Sequence, residues 1–207
     1  MKPKLAIPSL RRWLIGLHRD LISIHSSISL SSDAYPRKLT EFERHVLVLE
    51  DRRFFSHRGV SWRSLLREAL KPLVFMKPRG ASTIDMQFVR TATGRYERSI
   101  SRKVREIILS YLIQFRYNKI VILRSYLRIA YFGTGLKGAQ AALEHGQFVD
   151  DISGIQAALI ASHLVYPRPI DKNDTWKKRV SRRANYINSV YVRRKKRFDK
   201  IEGRIFR

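Results

Sequence analysis

Two glutamates carry the strongest chemical signals in this sequence. Glu50 opens the run EDRRFFSHRG (50–59), at the end of a helical segment whose apolar stripe is Phe42, Val46 and Leu49. A carboxylate one turn on from Val46 is partly desolvated, and desolvation raises its pKa towards the range useful to a general base. A surface or paired glutamate fits the same position. Glu106 follows Arg102 and Lys103 at helical spacing, on the face away from the stripe Ile100, Val104, Ile108, Tyr111 and Phe115. One reading is a solvated ion pair worth about a few tenths of a kcal/mol. The other is a cationic cradle whose acid orients a phosphate or a metal. Arg90, Arg95, Arg98 and Arg105 lie nearby in sequence. So much positive charge around one glutamate favours a polyanionic ligand.

GASTIDMQ (80–87) supplies a small, hydroxyl-rich opening to a helix. Free backbone N–H groups with the hydroxyls of Ser82 and Thr83 could bind an anion there, and an ordinary N-cap accounts for the same residues. His57, His145 and His163 are far apart and show no metal-ligand spacing. The chain has no cysteine, which excludes a disulfide framework, a thiolate nucleophile and Cys-based zinc or iron–sulfur sites.

These residues need elements to position them, and the periodicity is helical throughout. Thr40 and Glu43 predict a capping box opening a helix over FERHVLVLEDRRFF. Further helices are expected at about 60–70, 99–115 and 119–131, and over GIQAALIASHLV (154–165), with the glycines of YFGTGLKG (131–138) as a break. No useful β-alternation or internal repeat occurs, so the expected fold class is all-α. At the N-terminus, Leu10, Trp13, Leu14, Leu17, Leu21 and Ile24 recur at helical steps opposite Arg11, Arg12 and Arg19. This suits either an amphipathic helix lying on anionic lipid or a helix docked on the protein's own core. No run reaches the ~18–20 apolar residues of a bilayer span, and no unbroken signal-peptide h-region is present. The expected organisation is an amphipathic segment at 1–35, a central domain at 36–170 and a basic helical tail at 171–207. That tail includes RRKKR at 193–197.

The 207 residues carry 42 Lys and Arg against 17 Asp and Glu, a formal charge of +25. Such a balance calls for nucleic acid, anionic lipid or a phosphate-bearing substrate as partner. At 44% hydrophobic and 11% aromatic residues, the chain has enough apolar surface to exclude disorder as a description of the whole.

The order and spacing of five blocks decide among these partners. EDRRFFSHRG, GASTIDMQFVR (80–90), RSISRKVRE (98–106), ILRSYLRIAYFGTGLKGA (122–139) and IQAALIASHLVYPRP (155–169) follow one another along the chain. Together they resemble the peptidoglycan glycosyltransferases of family 51, the transglycosylase module of class A penicillin-binding proteins and monofunctional transglycosylases. The resemblance covers roughly 40–170 and, with no transpeptidase block following, is to the monofunctional type. It implies a lysozyme-like, two-lobed α-helical domain with a membrane-facing jaw, where KPLVFMKP (71–78) falls. The implied reaction transfers a growing glycan from its lipid pyrophosphate to the 4-hydroxyl of lipid II. By the resemblance, Glu50 is the general base. Glu106 positions the leaving group, with a divalent cation (magnesium or manganese) as its implied companion. Arg90, Arg98, Arg102 and Lys103 neutralise the pyrophosphate, while Asp51, Phe54, His57, Ser82, Thr83 and Gln87 line the substrate cleft. The implied partners are lipid II, the growing strand, an anionic membrane surface and other cell-wall synthesis proteins, with no nucleic acid. The implied place is the periplasmic or outer face of a bacterial inner membrane, peripherally bound.

The chain departs from the family pattern at several points. STITQQ reads STIDMQ, so Asp85 and Met86 replace a hydroxyl and an amide. Arg124 and Arg128 stand for the Glu and Asn of ILExYLN, EHGQ (144–147) stands for a YFGK-like stretch, and Gln156 replaces an acid. No run in these 207 residues reads as the family's N-terminal membrane anchor, so none is expected here. The alternative to an enzyme is a catalytically degenerate member that only binds lipid-linked precursors, cell-wall partners or an anionic surface.

Overall fold

Side-chain caps begin most of the helices. Thr40 accepts from the Glu43 backbone and Glu43 answers to Thr40, the capping box expected from sequence. Thr83, Ser99, Asn118 and Asn173 each accept from a backbone N–H three residues on. The computed structural model describes residues 10–28, 38–69, 82–147 and 152–206. In chain order the helices are α1 (Leu10–Ser27), α2 (Glu41–Glu50), α3 (Trp62–Ala69), α4 (Ile84–Thr93), α5 (Ile100–Leu112), α6 (Lys119–Ile129), α7 (Ala139–His145), α8 (Gly154–Ser162) and α9 (Asp174–Ile205). The fold is all-α. YFGTGLKG does break α6, and it also forms a short antiparallel pair, β1 (Tyr131–Gly133) with β2 (Leu136–Lys137). Five strand residues are too few to show alternation in sequence.

The core is built around α2, which packs against α8 and α9, and α4, which packs against α5 and α6. Val46, Phe88, Ile122, Phe132, Ala157 and Ile187 meet there. Helices α1 and α9 both reach this core: Ile24 enters it from α1, and Ala184, Ile187 and Tyr191 enter from α9. Gly59 lies in the left-handed region at φ 75°, and a Cβ there would sit 2.1 Å from the Ser110 carbonyl oxygen. A side chain at 59 would therefore force the loop after Glu50 away from α5.

Helix α1 uses both of its faces. Ile24 is buried, Leu17 and Leu21 pack on the core, and Ser23 Oγ donates to the Ala92 carbonyl at 2.7 Å. Asp20 receives Arg95 and Arg105, each at 3.0 Å, and Arg105 stacks over Trp13 at 5.0 Å. Leu10, Leu14, Ile15 and Ile22 remain exposed. No helix among the described residues is long and apolar enough to cross a membrane. The jaw stretch 71–78 lies outside the described residues.

Two departures from the family pattern have structural partners. Arg124 is buried and donates through Nε to Glu43 Oε1 at 2.7 Å, and through Nη2 to the Lys38 carbonyl at 3.0 Å. Arg128 donates to the Ser27 carbonyl at 2.6 Å, tying α6 to the end of α1.

Candidate active site

Glu50 ends α2 and Gln87 sits on α4. The Gln87 amide donates to Glu50 Oε2 at 2.6 Å, and the Tyr126 hydroxyl on α6 donates to Gln87 Oε1 at 2.7 Å. That chain fixes the amide orientation, because Gln87 can donate to Glu50 only if its oxygen faces Tyr126. Glu50 keeps an opening to solvent, yet protein encloses its carboxylate on most sides. Burial pushes its pKa above the ordinary glutamate value. The Gln87 hydrogen bond and the Arg183 guanidinium on α9 pull against that rise without cancelling it. A raised pKa makes the deprotonated carboxylate a stronger proton acceptor.

Glu106 has the opposite surroundings. It is only 2% exposed and meets three cations. Arg90 Nε is 2.9 Å from Oε1, Lys103 Nζ is 3.3 Å from Oε2, and Arg102 bonds Oε1 as well. Ser82 Oγ accepts from Arg90 at 3.1 Å and from Lys103 at 3.2 Å, closing the ring. Burial lowers the Lys103 pKa, while Glu106 beside it raises it. One carboxylate thus holds three cationic side chains on a rigid helix pair, with charge left over for an anion. A resident divalent cation does not fit here. Such an ion needs several oxygen ligands, whereas Glu106 is surrounded by positive charge that already supplies what a metal would.

The solvated ion pair weighed for Glu106 is therefore ruled out, and the reason is the orientation of α5. Its core-facing residues are Arg105, Glu106, Leu109 and Ser110. The apolar stripe is turned outward instead: Ile100 is 84% and Phe115 72% exposed, and Val104 and Tyr111 are exposed too. The cationic surplus also divides. Arg90, Arg102 and Lys103 gather on Glu106, Arg95 and Arg105 turn to Asp20 on α1, and Arg98 is exposed ahead of α5. Thr83 is the N-cap of α4 and donates to the Gly59 carbonyl at 2.6 Å, so the cap reading holds for it. Ser82 alone of the two hydroxyls faces the cations.

The remaining sequence candidates sit beneath the Glu50 turn. Phe54 is buried, packed edge-on against Phe55. His57 Nε2 lies 2.8 Å from Asp51 Oδ2. Asp51, His57 and Asp85 bring donor atoms within 4.8 Å of one another. Asp85 in that group already has a cationic partner: the Lys119 ammonium lies 2.8 Å from its Oδ2. Arg183 and Lys119 carry no signal in the sequence, and the 122–139 block that contains Tyr126 does not mark it as a partner of Gln87. Each lies far along the chain from the residue it serves, so no local pattern marks it.

Comparison with known proteins places this arrangement. The profile described as Transglycosylase matches residues 25–192, most of the chain. The chain belongs to the transglycosylase family. It is 32% identical over 172 residues to the biosynthetic peptidoglycan transglycosylase of Bordetella avium, covering 80% of this chain and 70% of that one. It is 34% identical over 147 residues to the protein of the same name in Rhizobium meliloti, covering 67% and 61%. A monofunctional glycosyltransferase of Staphylococcus epidermidis is 30% identical over 151 residues, covering 69% and 54%. The chain thus spans between about half and 70% of the length of these relatives. Glu50, Glu106, Arg90, Arg102 and Lys103 all lie inside the matched region.

Proposed function

We propose that this transglycosylase polymerises lipid II, moving the glycan from its lipid pyrophosphate to the 4-hydroxyl of the acceptor sugar. The reading rests on one observation: two enclosed glutamates in one domain have opposite electrostatic surroundings. Glu50, poorly solvated and raised in pKa by burial, takes the proton of the attacking hydroxyl in its deprotonated form. Gln87, held by Tyr126, aims it. The departing pyrophosphate gathers negative charge, which Arg90, Arg102 and Lys103 meet without reorganising because Glu106 and Ser82 already hold them in place. Glycan-chain formation from purified lipid II in detergent tests the reading. Lipid II that binds but yields no strand would overturn it in favour of a binding-only member.

Lys103→Ala should weaken a pyrophosphate-bearing donor by roughly 10–100-fold, the loss of one charge-assisted hydrogen bond of about 1.5–3 kcal/mol. A phosphate-free sugar should bind almost as before, and Arg98→Ala, at an exposed position, should cost much less. Equal losses for both ligands would assign Lys103 a structural role.

A lipid-linked substrate places the enzyme at the outer face of the inner membrane, with the bilayer surface and other cell-wall synthesis proteins as partners. Two exposed apolar faces support the bilayer contact: Leu10, Leu14 and Ile15 on α1 beside Arg11 and Arg12, and Ile100, Val104 and Phe115 of α5 and the turn after it. The basic run 193–197 on α9 is exposed as well. Each nearby Lys or Arg adds about 1 kcal/mol on anionic lipid. Binding to anionic vesicles should therefore be salt-sensitive, and weakened by Leu14→Glu or Phe115→Glu without loss of fold. Equal partitioning onto neutral vesicles would remove the electrostatic part. Trp13→Glu is the poorer probe, because it removes the ring stacked on Arg105.

A further inference from the structure

Lipid II polymerisation leaves unused a charged cluster buried under the turn that carries Glu50. Asp85, fully buried, accepts from Lys119 Nζ at 3.1 and 2.8 Å and from the Gln114 amide. Lys119 Nζ also lies 4.3 Å from the centre of the Phe54 ring. The His57 side chain is 10% exposed, and its Nδ1 has no hydrogen-bond partner and lies 4.0 Å from Asp85 Oδ2. On its other side, Nε2 meets Asp51. Asp51 follows Glu50 directly and caps α2, and its carboxylate accepts from the Arg53 and Ile84 backbone N–H groups at 3.2 and 3.4 Å.

We propose that Asp85 and Lys119 are positioning residues for Glu50, acting as a buried ion pair that holds the start of α4, whose Ile84 N–H binds Asp51, against the α2 terminus. This rests on Glu50 being the base. The argument is geometric. Asp85 lies on α4 two residues before Gln87, so the same helix end touches the Glu50 turn from below and the Glu50 carboxylate from the side. Phe54, between them in the loop, is pressed under the ammonium. A shift of this helix end moves Gln87 and Asp51 together, and with them both neighbours of the base. Misplacement by about 1 Å is enough to cost a large part of a positioned reaction. The ion pair also explains why aspartate is tolerated at a fully buried position: burial raises the Asp85 pKa and lowers that of Lys119, while each group opposes the shift of the other. Neither charge would be tolerated alone.

The test uses the full chain with Asp85→Asn, Lys119→Met and the double variant, each compared below its own melting temperature. Amide hydrogen exchange at Ile84 and Arg53 should quicken by roughly tenfold in all three, with exchange in α8 unchanged. The turnover number for glycan formation should fall by about 10–100-fold at an unchanged KM for lipid II. The double variant should recover thermal stability, since no charge is left stranded, but not turnover. Wild-type exchange and turnover in the folded double variant would overturn the proposal and leave the pair as filler. So would magnesium, manganese or zinc binding that disappears in Asp85→Asn, because a metal would then hold the cluster. If the unaltered protein forms no glycan at all, the polymerase reading fails, while the exchange measurement still judges the coupling.

Discussion

Glu50→Gln should lower glycan polymerisation by about 10²–10⁴-fold, the range of a positioned general base. The amide keeps the size of the side chain and an oxygen to accept from Gln87, but it cannot take the hydroxyl proton. In the unaltered enzyme the acid limb of kcat/KM should lie above the ordinary glutamate range, because burial raises the pKa of the base and it must be deprotonated to act. The same burial predicts a stability effect of defined sign. A folded-state pKa above the unfolded one means that Glu50 favours folding most below about pH 4, where it is protonated in both states. That contribution fades as pH rises through the raised folded value. Glu50→Gln should therefore melt above the unaltered protein at pH 7 and alongside it below about pH 4. Near-normal strand synthesis by this variant would remove Glu50 from the mechanism, and a lower melting point at pH 7 would show that its carboxylate stabilises the fold.

Arg124→Met should destabilise the fold strongly. It leaves Glu43 buried without its principal counter-ion, and breaking a buried pair in this way costs about 3–5 kcal/mol. For a chain of this size that is a fall in Tm on the order of 10 °C. Glu43→Gln in the same chain should restore most of the loss, since glutamine at that position still closes the capping box with Thr40. If the double variant melts no higher than Arg124→Met, the guanidinium is held chiefly for its bond to the Lys38 carbonyl. Recovery by the double variant would mark the Arg124 departure as a local exchange of charge between α2 and α6, with no bearing on the cleft.

Much of this protein is legible without a structure wherever the deciding interaction is local. Thr40 and Glu43 announce the start of α2 because a capping box closes within four residues. The enclosure of Glu50 follows from its place one turn beyond Val46. The blocks at 50–59, 80–90 and 98–106 identify the family because they keep order and spacing. What tertiary structure alone decides is which face of a helix turns inward. On α5, periodicity reveals an apolar stripe, but it cannot say that the stripe faces out. The inward face belongs to Glu106 and its cations, because Arg90 arrives from α4 to satisfy a buried carboxylate, while Ser82, just before that helix, accepts from Arg90 and Lys103. The partners of Asp85 and Asp20 are equally invisible in sequence: Lys119 and Arg105 lie 34 and 85 residues away, and only folding brings those charges within reach. A lone buried charge is too costly to survive, so each such residue fixes a pairing that its neighbours in the chain cannot disclose.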